Sequence, residues 1–207
     1  MVDLLILDIE TYKSDRLPEY CDIFDKAKLE QFEEKKKNNP KARKPELKSE
    51  KAALHCLTAK VVCVGLKEFG SDEDPMVKFS LDEREVLEWV RKNLILIDPE
   101  AVIAYNGEEF DVPMLKLMAL SYGINLQLPY KVIDPYKILG MKWSKPIQCS
   151  LEELAWKLGC RGDAYGRGDQ VENWIESKQF EEVVRHCRGD VLMLDKICRQ
   201  LESVGII

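Results

Sequence analysis

A chain of 207 residues, 45% hydrophobic and 33% charged, is long enough to bury one substantial core and has the composition of a soluble globular domain. Its net charge of −6 argues against a protein that coats nucleic acid over its whole surface, but not against an enzyme that grips one strand end at an acidic, cation-dependent site. No apolar run reaches transmembrane length, and seven cysteines without a CxxC pair or a secretory leader fit free thiols in a reducing cytoplasm.

Residues 4–9 read as a strand, a run of Leu and Ile without Gly or Pro. Side chains alternate along a strand, so Asp8 and Glu10 share one face while Leu5, Leu7 and Ile9 take the other. Two carboxylates side by side next to a buried strand are costly unless a cation sits between them; the alternative is a strand that frays into solvent at Asp8. A polar insertion follows at about 13–52. From Lys26 to Lys51 it carries ten Lys/Arg against five Glu, a local charge of +5. A charged helix is expected over 25–37, with Ala27, Leu29 and Phe32 on one side, before Pro40 and Pro45 break it. Such a run is either a solvated excursion or an electrostatic guide for a phosphate backbone. Cys56, Cys187 and the two histidines have the spacing of no familiar zinc module.

Residues 60–67 and 76–80 read as a hairpin with turn material at 70–75. Ser80 with Glu83 is the spacing of a capping box, opening a helix whose apolar stripe is Val86, Leu87, Val90 and Leu94. A strand at 101–105 leads to a helix that begins near Asp111, with Pro113 in its first turn and Leu115, Leu117, Met118 and Tyr122 inward; Gly123 ends it. A short strand is expected at 131–134. Ser150 and Glu153 form a second capping box, before Leu151, Leu154, Ala155 and Leu158, and Gly159 stops that helix. A glycine-rich loop at 160–169 and a short helix at 171–176 precede the last helix, 180–204, with Val183, Val184, Val191, Leu194, Ile197 and Leu201 inward. This order predicts an α/β fold in a single domain, with a mixed β-sheet and helices on both faces.

Two further acids stand out by context. Asp111 lies at a strand-to-helix junction, where open α/β sheets carry their chemistry, although Asp is also a common helix cap. Asp190 lies inside the last helix, four residues after His186, so the two share one face. Hard oxygen ligands without clustered Cys or His select Mg²⁺ or Mn²⁺. Four carboxylates suit two such ions about 3.5–4 Å apart, the arrangement that cleaves phosphodiesters, and His186 is placed to serve as a base.

The motifs Asp8-Ile9-Glu10-Thr11, Tyr105-Asn106-Gly107-Glu108-Glu109-Phe110-Asp111 and His186-Cys187-Arg188-Gly189-Asp190-Val191, in this order, resemble those of the DEDD superfamily of 3′→5′ exonucleases. The likeness is greatest to the predicted exonucleases related to the proofreading domain of family B DNA polymerases. The segment from Ser150 to Ala155, followed by Leu158-Gly159, is similar to one these proteins carry before a glycine-rich loop. The resemblance implies a ribonuclease H-like fold and two divalent cations, Mg²⁺ or Mn²⁺. It implies that Asp8 bridges both ions, Glu10 and Asp190 complete one shell, and Asp111 holds the other ion. Thr11 and Asn106 would then lie near the 3′-terminal nucleotide, and Phe110 is either core or a stacking platform. One departure is clear: the family has Tyr where this chain has His186, and the sister subclass has its His one residue earlier, about 100° round the helix.

The expected activity is therefore metal-dependent removal of nucleoside 5′-monophosphates from 3′ ends, DNA favoured and RNA possible, either alone or beside a replication or repair partner, and away from membranes. The competing readings are a nucleic-acid-binding module with weakened catalysis and an exoribonuclease similar to RNase D.

Overall fold

The sheet grows outward from β1 (Leu4–Lys13), whose Leu5, Ile6 and Leu7 are buried on both faces. The computed structural model describes residues 4–14, 19–45, 47, 53–54, 58–141 and 148–207, with the backbone alone at 19–24. Beside β1 lie β2 (Ala59–Glu68), β3 (Met76–Phe79), β4 (Ala101–Ile103) and β5 (Lys131–Ile133), in the order β3-β2-β1-β4-β5. β2 and β3 are antiparallel, with Cys63 opposite Phe79. The amide of Phe69, just past β2, donates to the carbonyl of Leu4 at 3.0 Å, which sets the end of β2 against the start of β1. On the other side β1, β4 and β5 are parallel, with Leu5 opposite Val102 and Val102 opposite Val132. The sheet is mixed as expected, and its parallel half points three strand ends toward one edge.

Val61, Val62, Cys63, Val64 and Leu66 are all buried. Because successive residues face opposite ways, helices must cover both sides of the sheet. The helices are α1 (Glu19–Asn38), α2 (Glu83–Ile97), α3 (Asp111–Ser121), α4 (Pro135–Ile138), α5 (Leu151–Lys157), α6 (Val171–Glu176) and α7 (Phe180–Ser203). Val86, Leu87, Val90 and Leu94 of α2 are buried, as their spacing predicts. On α7, Val191, Leu194 and Cys198 pack with Ile6 and Ile103 of the sheet, while Met193, Ile197 and Leu201 pack with Leu154 and Ala155 of α5. Each large apolar side chain so buried contributes roughly 1.5–3 kcal/mol.

Local expectation fails where a distant partner competes. Ser80 does not cap α2. Asp82 does, its Oδ1 accepting from the Arg84 amide at 3.0 Å, because the Glu83 carboxylate is taken by the Val61 amide of β2 at 2.6 Å. The Ser80 hydroxyl instead donates to Glu85 at 2.7 Å. Ser150 and Glu153 do form their reciprocal box. Leu117 and Tyr122 are 38% and 37% exposed rather than inward, and Val184 is only half-buried. The strands at 101 and 131 each end at an Ile, one or two residues short of the expected limits.

By contacts the chain divides into two compact units, Met1–Glu10 with Val61–Ile207, and Thr11–Lys60. The second holds α1, which begins six residues before the expected start at Asp25. In this unit the Ser14 amide donates to the Thr58 carbonyl at 2.6 Å, and the Lys60 ammonium lies over the Tyr12 ring. Residues 15–18, 46 and 48–52 of the expected basic insertion lie outside the described residues, as do His55 and Cys56 of the zinc alternative. Cys63, Cys149, Cys160, Cys187 and Cys198 are free thiols, as expected. No described helix is long and apolar enough to cross a membrane.

Candidate metal centre

Asp8 and Glu10 reach the site from β1, Asp111 from the start of α3, and His186 and Asp190 from the second and third turns of α7. Asp111 is the first residue of α3, not its cap; that position belongs to Phe110, whose side chain caps nothing. The freed carboxylate turns back to the sheet, where its Oδ1 accepts from the Ile9 amide at 3.2 Å. Asp111 is thereby fastened between Asp8 and Glu10.

The approach of α7 depends on Gly65 of β2. A Cβ there would lie 2.7 Å from Val191 Cγ2 and 3.0 Å from Cys187 Sγ. With only hydrogen in that space, α7 rests on the strand, and Cys187 Sγ comes within 3.9 Å of the Asp8 carbonyl. One turn brings His186 Nε2 to 3.4 Å from Glu10 Oε1, and His186 Nδ1 lies 3.7 Å from Asp190 Oδ1. His186 Nδ1 is also 2.7 Å from the Tyr165 carbonyl oxygen. The loop bearing that carbonyl closes through Gly166, at φ +63°, where a Cβ would strike the Trp174 ring at 2.2 Å. Trp174 meets His186 edge-on and stacks on Tyr165, whose ring centre lies 3.9 Å from the Arg185 guanidinium.

These carboxylates are uncomfortable without a counter-charge. Burial, with the neighbouring Asp190 and Asp111, holds the Asp8 carboxyl well above the usual range. Burial and Asp8 do the same to Glu10. Burial pushes Asp111 up to about 7 and Asp190 up to about 6, against the pull of His186. Asp8 Oδ2 is buried with no hydrogen-bond partner. An orphaned carboxylate oxygen among raised carboxyls fits a site that could hold a cation. The donor atoms are close enough to share one: Asp8, Glu10 and Cys187 form one set within 4.8 Å, and Glu10, His186 and Asp190 another. A cleft of about 550 Å³ adjoins the cluster, lined by Ser150, Gly166, Arg167, His186 and Asp190 among others.

The expected substrate-side residues divide. Asn106 sits at the turn after β4 in the left-handed region (φ 57°), with a buried Oδ1 that has no partner. Phe110 is half-buried. Thr11 belongs to the second unit, where its hydroxyl donates to the Ala53 carbonyl at 2.5 Å. Two groups escaped sequence reasoning. Asp134 follows β5 as the cap of α4 and accepts from the amides of Asn106 (2.9 Å), Glu108 (3.3 Å) and Tyr136 (3.0 Å), fixing the turn that leads to Asp111; the Asp134-Pro135 pair, a common helix start, was its only sequence signal. The Tyr165 carbonyl has no signal at all, since any residue supplies one.

A family model described as RNase H superfamily matches residues 50–202. The chain belongs to the RNase H superfamily. Among solved structures, this superfamily member is similar to the family B DNA polymerase from the hyperthermophilic archaeon Pyrobaculum calidifontis, with a TM-score of 0.67 and 18% identity. The match covers 98% of this chain and 25% of that one, so the chain spans about a quarter of the polymerase's length. At that identity the likeness is one of fold, and the ribonuclease H-like architecture expected from the motifs is the architecture found. No curated protein matches the chain.

Proposed function

We propose that this RNase H superfamily chain is a divalent-metal-dependent 3′→5′ exonuclease that releases nucleoside 5′-monophosphates from single-stranded ends, DNA before RNA. The observation that carries the reading is the approach of β1 and α7 in two donor sets that share Glu10, one with Asp8 and one with Asp190, beside an Asp111 carboxylate bonded to the Ile9 amide and a buried Asp8 oxygen without a partner. A fold that merely bound nucleic acid would have no reason to keep four mutually repelling acids together.

Asp8 would be shared by two ions, Glu10 and Asp190 would belong to one, and Asp111 to the other. Such ions, when bound, supply an acidified water and charge stabilisation for the leaving oxygen. The chain's own residues do the rest. Ile9 holds the Asp111 carboxylate against β1. Asp134 fixes the turn that presents Asn106, whose unpartnered Oδ1 is suited to accept from an N–H or O–H of the terminal nucleotide. Arg167, at the rim of the cleft, offers a cation for a phosphate.

The test is a 5′-labelled single-stranded DNA and its RNA counterpart incubated with Mg²⁺ or Mn²⁺. A ladder that shortens from the 3′ end, abolished by EDTA and by Asp8→Ala, is the expected result, and the faster substrate identifies the sugar. Binding without cleavage of either strand would replace the enzyme with a binding module.

A further inference from the structure

His186 stands where its relatives in the motif carry Tyr, and the surroundings of its ring decide more than its identity does. A carbonyl oxygen can only accept, so the 2.7 Å contact with Tyr165 O requires the hydrogen on Nδ1, which donates it. In a neutral imidazole that leaves Nε2 as a bare lone pair. The ring is 4% exposed and cannot readily turn, being held by that carbonyl and by the edge contact with Trp174. Nε2 is therefore fixed facing Glu10 Oε1 at 3.4 Å, and a Cβ on Gly168 would lie only 3.8 Å from it.

We propose that His186 Nε2 is itself a metal ligand, completing with Glu10 and Asp190 a mixed nitrogen–oxygen shell for one of the two ions. The inference rests on the metal-dependent reading of the site and assigns His186 a place inside the coordination sphere rather than the role of a base. Two donors about 2.1 Å from one ion are roughly 3.0 Å apart at right angles and roughly 3.4 Å apart in a tetrahedron, so the observed spacing is that of neighbours in one sphere. A ring nitrogen that donates to a backbone carbonyl while its partner nitrogen faces a carboxylate is also how metal-binding histidines are oriented, and the Asp190 carboxylate lies within 4.8 Å of the Glu10 and His186 donors. An imidazole in the shell shifts preference from Mg²⁺ toward Mn²⁺, Co²⁺ and Zn²⁺, which take nitrogen readily.

The experiment is electron spin-echo envelope modulation on the full chain loaded with Mn²⁺, beside calorimetric titration with Mn²⁺ and Mg²⁺. The expected spectrum shows a ¹⁴N coupling that changes to the ¹⁵N pattern when histidine alone is ¹⁵N-labelled. With only two histidines in the chain, His55→Gln should leave the coupling in place, so the assignment stands even if His186→Gln folds poorly. If His186→Gln folds, the coupling should vanish and Mn²⁺ affinity should fall at least about tenfold, the loss that even outer-shell changes produce, with a smaller loss for Mg²⁺. Bound Mn²⁺ without a histidine coupling would place His186 outside the sphere and overturn the inference, while the nuclease reading stands. Failure of Mn²⁺ and Mg²⁺ to bind at all would overturn both.

Discussion

Asp8, two residues beyond the parallel pairing of β1 with β4, and Asp134, just past β5, are both carboxylates, and they are opposites in their surroundings. Asp134, 2% exposed, accepts from three backbone amides and needs nothing further. Asp8 has a buried oxygen with no partner and like charges around it. Burial alone therefore does not separate a satisfied acid from an unsatisfied one. The hydrogen-bond ledger does: a satisfied carboxylate stabilises the fold, and an orphaned one is held there at the fold's expense.

That contrast is breakable. Asp8→Asn should lower hydrolysis on the order of a thousandfold, as the loss of a key charge-stabilising group does, yet leave the urea midpoint of the metal-free protein unchanged or higher. Asp134→Ala should do the reverse to stability, lowering it by about 3 kcal/mol, because three backbone amides lose their acceptor, that of Tyr136 in a buried bond. Equal destabilisation by the two changes would mean that Asp8 is structural after all. Gly65→Ala tests whether the site depends on the seating of α7: overpacking should cost about 1–3 kcal/mol, and calorimetry should show weakened Mn²⁺ binding. Intact Mn²⁺ affinity would mean that Asp190 reaches the cluster without that close approach.

The pH dependence sharpens the same contrast at smaller scale. Asp111 and Asp190 rise in the fold from 3.8 to about 7 and about 6. Between those values the folded state holds more protons than the unfolded one, so stability falls as pH rises. In EDTA the melting temperature should decline from about pH 4 to about pH 7, and saturating Mn²⁺ should flatten the curve by supplying the missing positive charge. A metal-free curve that rises through this window would contradict the raised carboxyls. The smallest effect belongs to Ser150→Ala, which removes one cap and should cost about 1 kcal/mol while leaving Mn²⁺ affinity unchanged.

What the sequence made legible follows physical range. The Ser150 box, Gly159 and the helix at 171–176 are decided within a few residues, and spacing alone finds them. Ser80 looked the same, but Glu83 had a partner in β2 that no local pattern reveals. The four acids could be found because each sits in a short motif. The Tyr165 carbonyl, the orphaned Asp8 oxygen and the space left by Gly65 are products of tertiary approach. Leu117 and Tyr122 fit an apolar spacing yet lie partly in solvent, because α3 buries Val112, Met114, Leu115, Met118 and Ala119 instead.

The bond from the Ser14 amide to the Thr58 carbonyl joins the two ends of a long excursion between adjacent strands. Topologically this is a hairpin whose turn has been stretched into a unit of its own. Closing a flexible loop costs only about 0.6 kcal/mol more for each doubling of its length, so the excursion can lengthen, shorten or change composition while the strand register below it is kept.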